Sequence, residues 1–215
     1  MLAIIGDIHG EFWALSRLAQ RARAAGIAAI IQVGDFGFGG GLMELQELDI
    51  DIYAIGGNHE SWPMLREPDT KDEPVQMSKN VWYVPRGCSF EVDGRRILGV
   101  GGAASIDYNY RQAGRDWYPA DEIVRMEHVE KALKTPTPDI IVTHTIPESV
   151  RLRLLPGPTP NFGQSKDWFD PSGIALEPLL AKYPRTSWFA GHFHMIRKDP
   201  ESGIRVLDIN EVVTV

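Results

Sequence analysis

Cysteine is almost absent from this sequence, which has one cysteine, Cys88, in 215 residues. A single thiol cannot close a disulfide within the chain, so a disulfide-stapled scaffold and a cysteine-based zinc knuckle are both excluded. This usage is typical of a protein from a reducing compartment. We expect Cys88 to be a small, buried apolar residue.

The sequence also lacks long hydrophobic runs and an excess of positive charge. No apolar run approaches the roughly 20 residues of a membrane-spanning helix, and no positively charged leader precedes the first apolar stretch. We therefore expect a cytoplasmic protein without a membrane partner. Lys and Arg total 22 against 29 for Asp and Glu, giving a formal charge of −7. A protein with this balance is not expected to bind bulk nucleic acid.

The composition that remains is that of an ordinary soluble globular protein, with 43% hydrophobic and 24% charged residues. No linker, internal repeat or low-complexity segment divides the chain. We expect a single domain over residues 1–215, and a homo-oligomer stays open.

The first part of the chain predicts a parallel sheet. Residues 2–6, 28–34 and 52–57 each run from apolar residues through glycine to a polar residue, as strands buried on both faces do. Residues 11–25 carry apolar side chains at helical spacing and end before Gly26. The first two strands and this helix form a β-α-β unit, whose strands are parallel.

The remainder predicts a mixture of short strands and helices. Residues 89–92 and 95–100 are β-rich runs joined at Asp93-Gly94, which indicates a hairpin and therefore antiparallel or mixed pairing. Residues 147–171 are rich in Pro and Gly and are predicted to form a functional loop. Further strands are predicted over residues 81–84, 139–143, 187–190, 204–209 and 211–215, and helices over 43–48, after Glu60, over 119–134 and over 171–180.

Side chains that bind metals follow the ends of five predicted strands. Ligands bind beyond the carboxyl ends of strands in α/β proteins, so we expect these side chains to meet in one place. Five of the six histidines lie there, and the sixth, His128, is predicted to lie on a helix surface. The fragments are Asp7-Ile8-His9, Gly34-Asp35, Gly57-Asn58-His59-Glu60, Thr143-His144 and Gly191-His192-Phe193-His194.

These ordered fragments resemble the motifs of the calcineurin-like metallophosphoesterase superfamily, and in particular its small stand-alone bacterial or phage-type members. The match runs from Asp7 to His194, nearly the full chain. The resemblance implies an α/β fold of the mixed α+β kind. Two mixed sheets would form a four-layer α-β-β-α sandwich, with a binuclear metal site at the carboxyl ends of the strands.

The resemblance also implies a role for each site residue. Asp35 would bridge two metal ions, and His59 would donate a proton or hydrogen bond to the leaving oxygen. The first ion would be held by Asp7, His9 and His194, and the second by Asn58, His144 and His192. Such ions would share a hydroxide that attacks phosphorus in line. Imidazole and carboxylate ligands suit Mn²⁺, with Fe, Zn or Mg as alternatives.

One departure from a subfamily pattern narrows the expected substrate. Phosphoprotein phosphatases of the superfamily extend Gly-Asp into Gly-Asp-x-x-Asp-Arg-Gly, whereas residues 34–40 here read Gly-Asp-Phe-Gly-Phe-Gly-Gly. The missing Asp and Arg argue against a Ser/Thr phosphoprotein phosphatase and leave the orientation of His59 unexplained. Arg111 is a candidate phosphate contact. The alternative is that Arg111 pairs with Asp107, one helical turn away.

The resulting prediction is an enzyme that hydrolyses small phosphoesters, with phosphodiesters such as cyclic nucleotides favoured. A phosphomonoesterase, a nuclease and a non-catalytic scaffold of the same fold are the alternatives. The segment 147–171 could line the cleft through Arg151, Arg153 and Trp168, although the two arginines are expected to be solvated. The acidic net charge speaks against a processive nuclease.

Overall fold

Two six-stranded mixed sheets form the centre of the molecule in the computed structural model, which describes residues 1–155 and 169–215. Five α-helices flank these sheets, and short 3-10 turns lie between the elements. The helices are α1 (Phe12–Ala24), α2 (Trp62–Leu65), α3 (Met126–Leu133), α4 (Glu148–Leu154) and α5 (Pro171–Lys182). The strands are β1 (Leu2–Ile5), β2 (Ala29–Gln32), β3 (Asp51–Ala54), β4 (Val75–Ser78), β5 (Val81–Tyr83), β6 (Cys88–Val92), β7 (Arg95–Val100), β8 (Ile140–Thr143), β9 (Ser187–Ala190), β10 (Arg197–Lys198), β11 (Arg205–Val206) and β12 (Val212–Thr214).

The first sheet has the strand order β12-β1-β2-β3-β5-β4, and the second has the order β10-β11-β9-β8-β7-β6. The predicted β-α-β unit is confirmed, because β1 pairs with β2 in parallel and Ile4 lies opposite Ile31. The predicted hairpin is also confirmed, since β6 and β7 are antiparallel on either side of Asp93-Gly94. Parallel pairing of β7 with β8 and of β8 with β9 makes the second sheet mixed.

Side chains of the central strands alternate between two hydrophobic clusters. Leu2 and Ile4 of β1 pack between the two sheets, while Ala3 and Ile5 pack toward α1. Both faces of the strand are therefore buried, which explains why its sequence is continuously apolar. The second sheet does the same, with its outer face against α3, α4 and α5. The predicted four-layer sandwich is confirmed.

The prediction of a helix over residues 119–134 is wrong for the first half of that range. Only Met126–Leu133 is helical. The Glu122 side chain is buried and accepts hydrogen bonds from the Ser105 backbone N–H and the Trp117 indole N–H. These contacts hold the preceding residues in turns against the loop after β7. The helix predicted over 43–48 is a 3-10 turn at Leu42–Leu45.

The prediction of a functional loop over residues 147–171 is wrong for the first part of that range, because this part forms the helix α4. The expectation that both arginines are solvated is wrong for buried Arg151, whereas Arg153 is an exposed residue as expected. The Arg151 side chain is buried and bonds Glu148 through two nitrogens, while Arg153 forms a two-nitrogen pair with buried Asp199. Residues 156–168, including Trp168, lie outside the described residues.

The sequence predicted some single residues and short strands better than others. Cys88 is buried, as predicted. His128 is partly exposed at the start of α3, the helix on whose surface it was predicted to lie, and its Nδ1 accepts the Arg125 backbone N–H at 3.1 Å. Strands β4 and β10 were not predicted. Among the helices of the described residues, none combines the length and apolar character needed to cross a membrane.

Candidate metal centre

The loops that follow β1, β2, β3, β8 and β9 bring all the predicted metal ligands to one cleft. Asp7 and His9 follow β1, Asp35 follows β2, and the remaining ligands lie beyond β3, β8 and β9. A cavity of about 350 Å³ opens there, lined by His9, Asp35, Asn58, His59, Ile106, Asp107, His192, Phe193 and His194. The carboxyl ends of strands from both sheets thus share one site.

Four side chains form the first ligand set: Asp7, His9, Asp35 and His194. One nitrogen or oxygen of each lies within 4.8 Å of the corresponding atoms of the others. His194 Nε2 is 3.1 Å from Asp7 Oδ2 and 3.0 Å from His9 Nε2. Two imidazole nitrogens and two carboxylates facing one point match the donors that transition-metal ions prefer.

The second candidate ligand set, predicted from the sequence, consists of Asn58, His144 and His192. His144 Nε2 lies 3.0 Å from Asn58 Oδ1 and 3.3 Å from Asp35 Oδ1. The His192 ring lies 5.0 Å from the His144 ring, and its Nε2 is buried without a hydrogen-bond partner among the described residues. A buried, unpaired ring nitrogen is costly, and a metal ion would satisfy it.

Asp35 lies between the two sets. Its Oδ2 is 3.8 Å from His9 Nε2 in the first set, while its Oδ1 faces His144 in the second. Burial acts to raise the pKa of Asp35, but the adjacent His144, His59 and His9 outweigh burial and hold that pKa well below its usual range. Asp35 is therefore an ionised carboxylate with one oxygen available to each set.

Three glycines leave room for these ligands. A Cβ atom at Gly191 would overlap Asp7 Oδ1, and one at Gly57 would overlap Asp35 Oδ1. A Cβ atom at Gly34 would overlap the His144 ring. The glycines that precede the ligands in the motifs therefore have a steric reason, namely the close approach of a ligand from another loop.

Several ligands have a left-handed backbone that non-glycine residues rarely adopt. The φ angles are +49° at His9, +51° at Asp35, +68° at His192 and +46° at His194. Such conformations persist where the surroundings over-determine them, and they cluster at functional sites. Here they aim side chains from tight turns back into the cleft.

Hydrogen bonds to backbone groups orient two of these side chains. His144 Nδ1 lies 3.0 Å from the Val33 carbonyl oxygen, so this ring nitrogen donates, and Nε2 faces Asn58 and Asp35 in the site. The His192 backbone N–H donates to Asp7 Oδ2 at 3.0 Å. Each contact joins a ligand to a loop of the other sheet.

Glu60 has a structural role that the sequence analysis did not assign. Its buried carboxylate accepts the backbone N–H groups of Phe36, Gly37 and Phe38 at 2.7 to 3.1 Å. Burial, followed by the charge of Asp35, raises the pKa of Glu60 to about 7 in spite of these bonds. Glu60 thereby holds the turn that carries Asp35, and its place directly after His59 was the available signal.

His59 faces a carboxylate that comes from the other sheet. Its Nε2 lies 3.4 Å from Asp107 Oδ2, in the loop after β7. Its ring centre is 5.3 Å from that of His9, so the imidazole borders the first ligand set without belonging to it. Burial lowers the pKa of His59 and Arg111 adds to this, while Asp35 and Asp107 oppose it. Asp107 accounts for the orientation that the missing Asp-Arg-Gly element left open.

The Arg111 guanidinium is close to the site but is directed at protein atoms. It donates to Ser105 Oγ at 2.5 Å, to the Asn58 carbonyl oxygen at 3.2 Å and to the Asp116 carbonyl oxygen. Its Nη1 is 3.7 Å from Asp107 Oδ1, which is the pairing that the sequence allowed as an alternative. A contact between Arg111 and substrate phosphate stays a prediction.

Comparison with known proteins agrees with this geometry. The chain is 25% identical over 210 residues to the lariat debranching enzyme of Schizosaccharomyces pombe, covering 90% of this chain and 42% of that protein. It therefore spans less than half the length of that relative.

One solved structure shares the fold at low sequence identity. It superposes with a TM-score of 0.56 at 12% identity, covering 98% of this chain and 90% of the other. A novel archaeal phosphodiesterase gives a TM-score of 0.44 at 13% identity, covering 98% of this chain and 83% of that one. The sequence profile of the calcineurin-like phosphoesterases matches residues 1–195. Because this match covers most of its length, the chain belongs to the calcineurin-like phosphoesterase family.

Proposed function

We propose that this protein hydrolyses small phosphodiesters, cyclic nucleotides among them, with two divalent metal ions, Mn²⁺ in the first place. The observation that carries the proposal is the position of Asp35, whose two carboxylate oxygens face two different ligand sets. A carboxylate in this position can hold two ions close together. Membership of a phosphoesterase family supports the same chemistry.

The residues present fit such a pair of ions. Asp7, His9 and His194 would hold one ion, Asn58, His144 and His192 the other, and Asp35 both. The unpaired Nε2 of His192 and the facing Nε2 atoms of His9 and His194 are the donors that a cation would satisfy. When bound, two such ions lower the pKa of a water molecule and neutralise the charge on the phosphoryl oxygens.

His59 would donate the proton to the leaving oxygen. Its ring lies at the border of the ligand cluster, and the Asp107 carboxylate fixes one of its nitrogens. The lowered pKa makes its protonated form a stronger acid than free imidazolium, which suits transfer to an alkoxide. Asp107 acts through His59 and is a positioning residue.

The charges around the cavity favour a diester over a monoester. Among the described residues that line it, none is an arginine or a lysine, and Asp107 adds a carboxylate near His59. The Arg111 guanidinium is already engaged by protein oxygens. A phosphomonoester carries up to two negative charges and needs more cationic contacts than a diester, which carries one.

Three alternative functions can be distinguished from this one by a single experiment. A phosphomonoesterase or a nuclease would use the same ligands on a different ester. A scaffold that had lost activity would be expected to lack ligands, and all seven predicted ligands are present here.

The test is a panel of aryl phosphomonoesters and phosphodiesters, cyclic nucleotides and single-stranded DNA, with added Mn²⁺ and with His144→Ala as the inactive control. Wild type should turn over the diesters fastest, and the variant should be inactive. Faster turnover of monoesters or of DNA would replace the diester proposal. Absence of all hydrolysis in a protein that binds less than one equivalent of Mn²⁺ would favour the scaffold.

A further inference from the structure

A second cavity adjoins the metal centre on the other side of His59. Its volume is about 430 Å³. The lining residues are Gly37, Phe38, His59, Glu60, Ser61, Arg111, Arg115, Asp116 and Tyr118. His59 lines this cavity and also the cavity that holds the metal ligands. We call the second cavity the His59 groove.

The position of His59 indicates which part of the substrate would face the groove. A side chain that donates a proton to the leaving oxygen has to face that oxygen. In an in-line displacement the leaving group departs on the side opposite the nucleophile, and the metal ligands lie on one side of His59. The group bonded to the leaving oxygen therefore points past His59, toward the groove.

Two walls of the groove are rigid. Phe38 is buried in the core beside α1, and Tyr118 packs against the same hydrophobic cluster. The Tyr118 hydroxyl donates to the Arg115 carbonyl oxygen at 2.9 Å, which fixes the segment that carries Arg115. The Glu60 carboxylate is occupied by backbone N–H groups of residues 36 to 38.

The free cationic group of the groove is the Arg115 side chain. Its one hydrogen bond among the described residues is a long contact of 3.4 Å from Nη1 to Gln112 Oε1. The guanidinium has five N–H donors, so most of them remain available. The Arg111 guanidinium, in contrast, already donates hydrogen bonds to Ser105 and to backbone oxygens. The Asp116 carboxylate accepts the Gln112 backbone N–H at 2.6 Å.

We propose that the His59 groove is a leaving-group subsite, in which Arg115 binds a second anionic group of the substrate. The chemical class is a phosphodiester whose leaving alcohol itself carries a phosphate, as in a short nucleotide chain. The planar guanidinium binds a phosphate through two parallel hydrogen bonds, and Phe38 and Tyr118 line the same groove. This inference rests on the proposed function, because it takes the direction of the leaving group from the role of His59.

The test uses the full-length chain and two aryl methyl phosphates. One has 3-(phosphonomethyl)phenol as its leaving group, and the other has the neutral diethyl ester of the same phosphonate. The methylene group keeps the acidity of the two phenols similar, so the substrates differ mainly in charge. The variant is Arg115→Gln, and the matched control is Arg17→Gln, which changes an exposed arginine of α1.

With Mn²⁺, wild type should show a kcat/KM for the anionic substrate about tenfold above that for the neutral one, as expected for one bidentate arginine contact. Arg115→Gln should abolish this preference while leaving the neutral substrate within about twofold. Arg17→Gln should behave as wild type. Equal losses on both substrates, or no preference in wild type, would overturn the inference.

A binding measurement separates this inference from the proposed function. Isothermal titration calorimetry with metal-free protein should show 3-(phosphonomethyl)phenol binding wild type about tenfold more tightly than Arg115→Gln. If wild type hydrolyses neither ester but this difference in Kd is present, the groove stands as a binding site and the proposed function fails. If hydrolysis occurs and the Kd values are equal, the proposed function stands and the subsite is rejected.

Discussion

The Asp107 carboxylate lies 3.4 Å from His59 Nε2, although Asp107 follows a strand of the second sheet and His59 follows a strand of the first. A histidine held by a carboxylate keeps one ring nitrogen fixed and presents the other in a defined direction. The pair therefore links proton donation at the cleft to the packing of one sheet against the other.

His59→Ala and Asp107→Asn should both slow esters with poor leaving groups. A positioned general acid contributes about 10² to 10⁴ in rate when the leaving oxygen needs a proton. We expect kcat to fall by about 10² or more for an alkyl diester in His59→Ala, by about tenfold in Asp107→Asn, and by much less for a nitrophenyl diester. Asp121→Asn, which removes a half-buried carboxylate paired with the exposed Arg66, is the control. Equal losses in kcat on both esters would refute the role of this pair.

Arg111→Ala should lower both activity and stability. The side chain joins Ser105, the Asn58 backbone and Asp116, and it is the cationic neighbour of Asp107. Removing one member of a mostly buried pair leaves an uncompensated charge, so we expect a loss of about 2 kcal/mol or more in unfolding free energy. Steady-state kinetics and urea unfolding measure the two effects. A variant with unchanged kcat, KM and urea midpoint would show that Arg111 neither binds substrate nor positions the site.

Gly191→Ala should weaken metal binding without unfolding the protein. The added Cβ would overlap Asp7 Oδ1 and displace that carboxylate from the first ligand set. Loss of a group that only orients a ligand costs about 10- to 100-fold in affinity, so displacing Asp7 itself should cost at least as much. Gly40→Ala is the matched control, because a Cβ there meets nothing within 4 Å. Mn²⁺ titration by calorimetry should distinguish the two variants, and equal affinities would contradict the steric argument.

Asp69→Asn should destabilise the protein at neutral pH and not at low pH. Asp69 Oδ2 accepts a hydrogen bond from Arg86 Nε at 2.8 Å, and both side chains are buried. Burial alone raises the pKa of Asp69, but the Arg86 guanidinium outweighs it and the net pKa is lowered. The charged form is thus favoured by folding, so this stability is fully present above the ordinary pKa of about 3.9 and disappears as the pH falls below it.

Urea unfolding should therefore show Asp69→Asn about 3 kcal/mol less stable than wild type at pH 7. The difference should shrink steadily below about pH 4. Asp49→Asn, at an exposed pair with Arg23, should change stability by less than about 0.5 kcal/mol at either pH. A deficit that stays constant with pH would show that Asp69 contributes through packing and not through its charge.

The meeting of the candidate metal-ligand side chains at one cleft could be predicted from the sequence because each lies within a few residues of the end of its strand. The local sequence pattern of an apolar strand, a turn and a polar residue places Asp7 after β1 and His144 after β8. The topology of α/β sheets then brings these turns together. The sequence motifs also contain Gly191 and Gly57. Glycine is needed at these positions because a side chain from another loop approaches closely, and only the folded structure shows this approach.

The partners of His59 and Asp35 could not be predicted in the same way. The Asp107 contact depends on how two sheets face each other, which no local pattern encodes. Glu60 binds three successive backbone N–H groups in a glycine-containing loop, and the conformation of that loop is itself set by Glu60. Similarly, α4 lies in a segment where Pro and Gly suggested a loop, but the Glu148–Arg151 pair and buried Val150 stabilise a helix.

Two metal ions bridged by Asp35 should be detectable as the metal content of the purified chain after Mn²⁺ loading and removal of free metal. Mass spectrometry of the metal should give close to two equivalents per wild-type chain, as expected for a binuclear site. Asp35→Asn should retain much less, with its circular dichroism spectrum unchanged. One equivalent or fewer in wild type, or two equivalents retained by Asp35→Asn, would contradict the bridged centre.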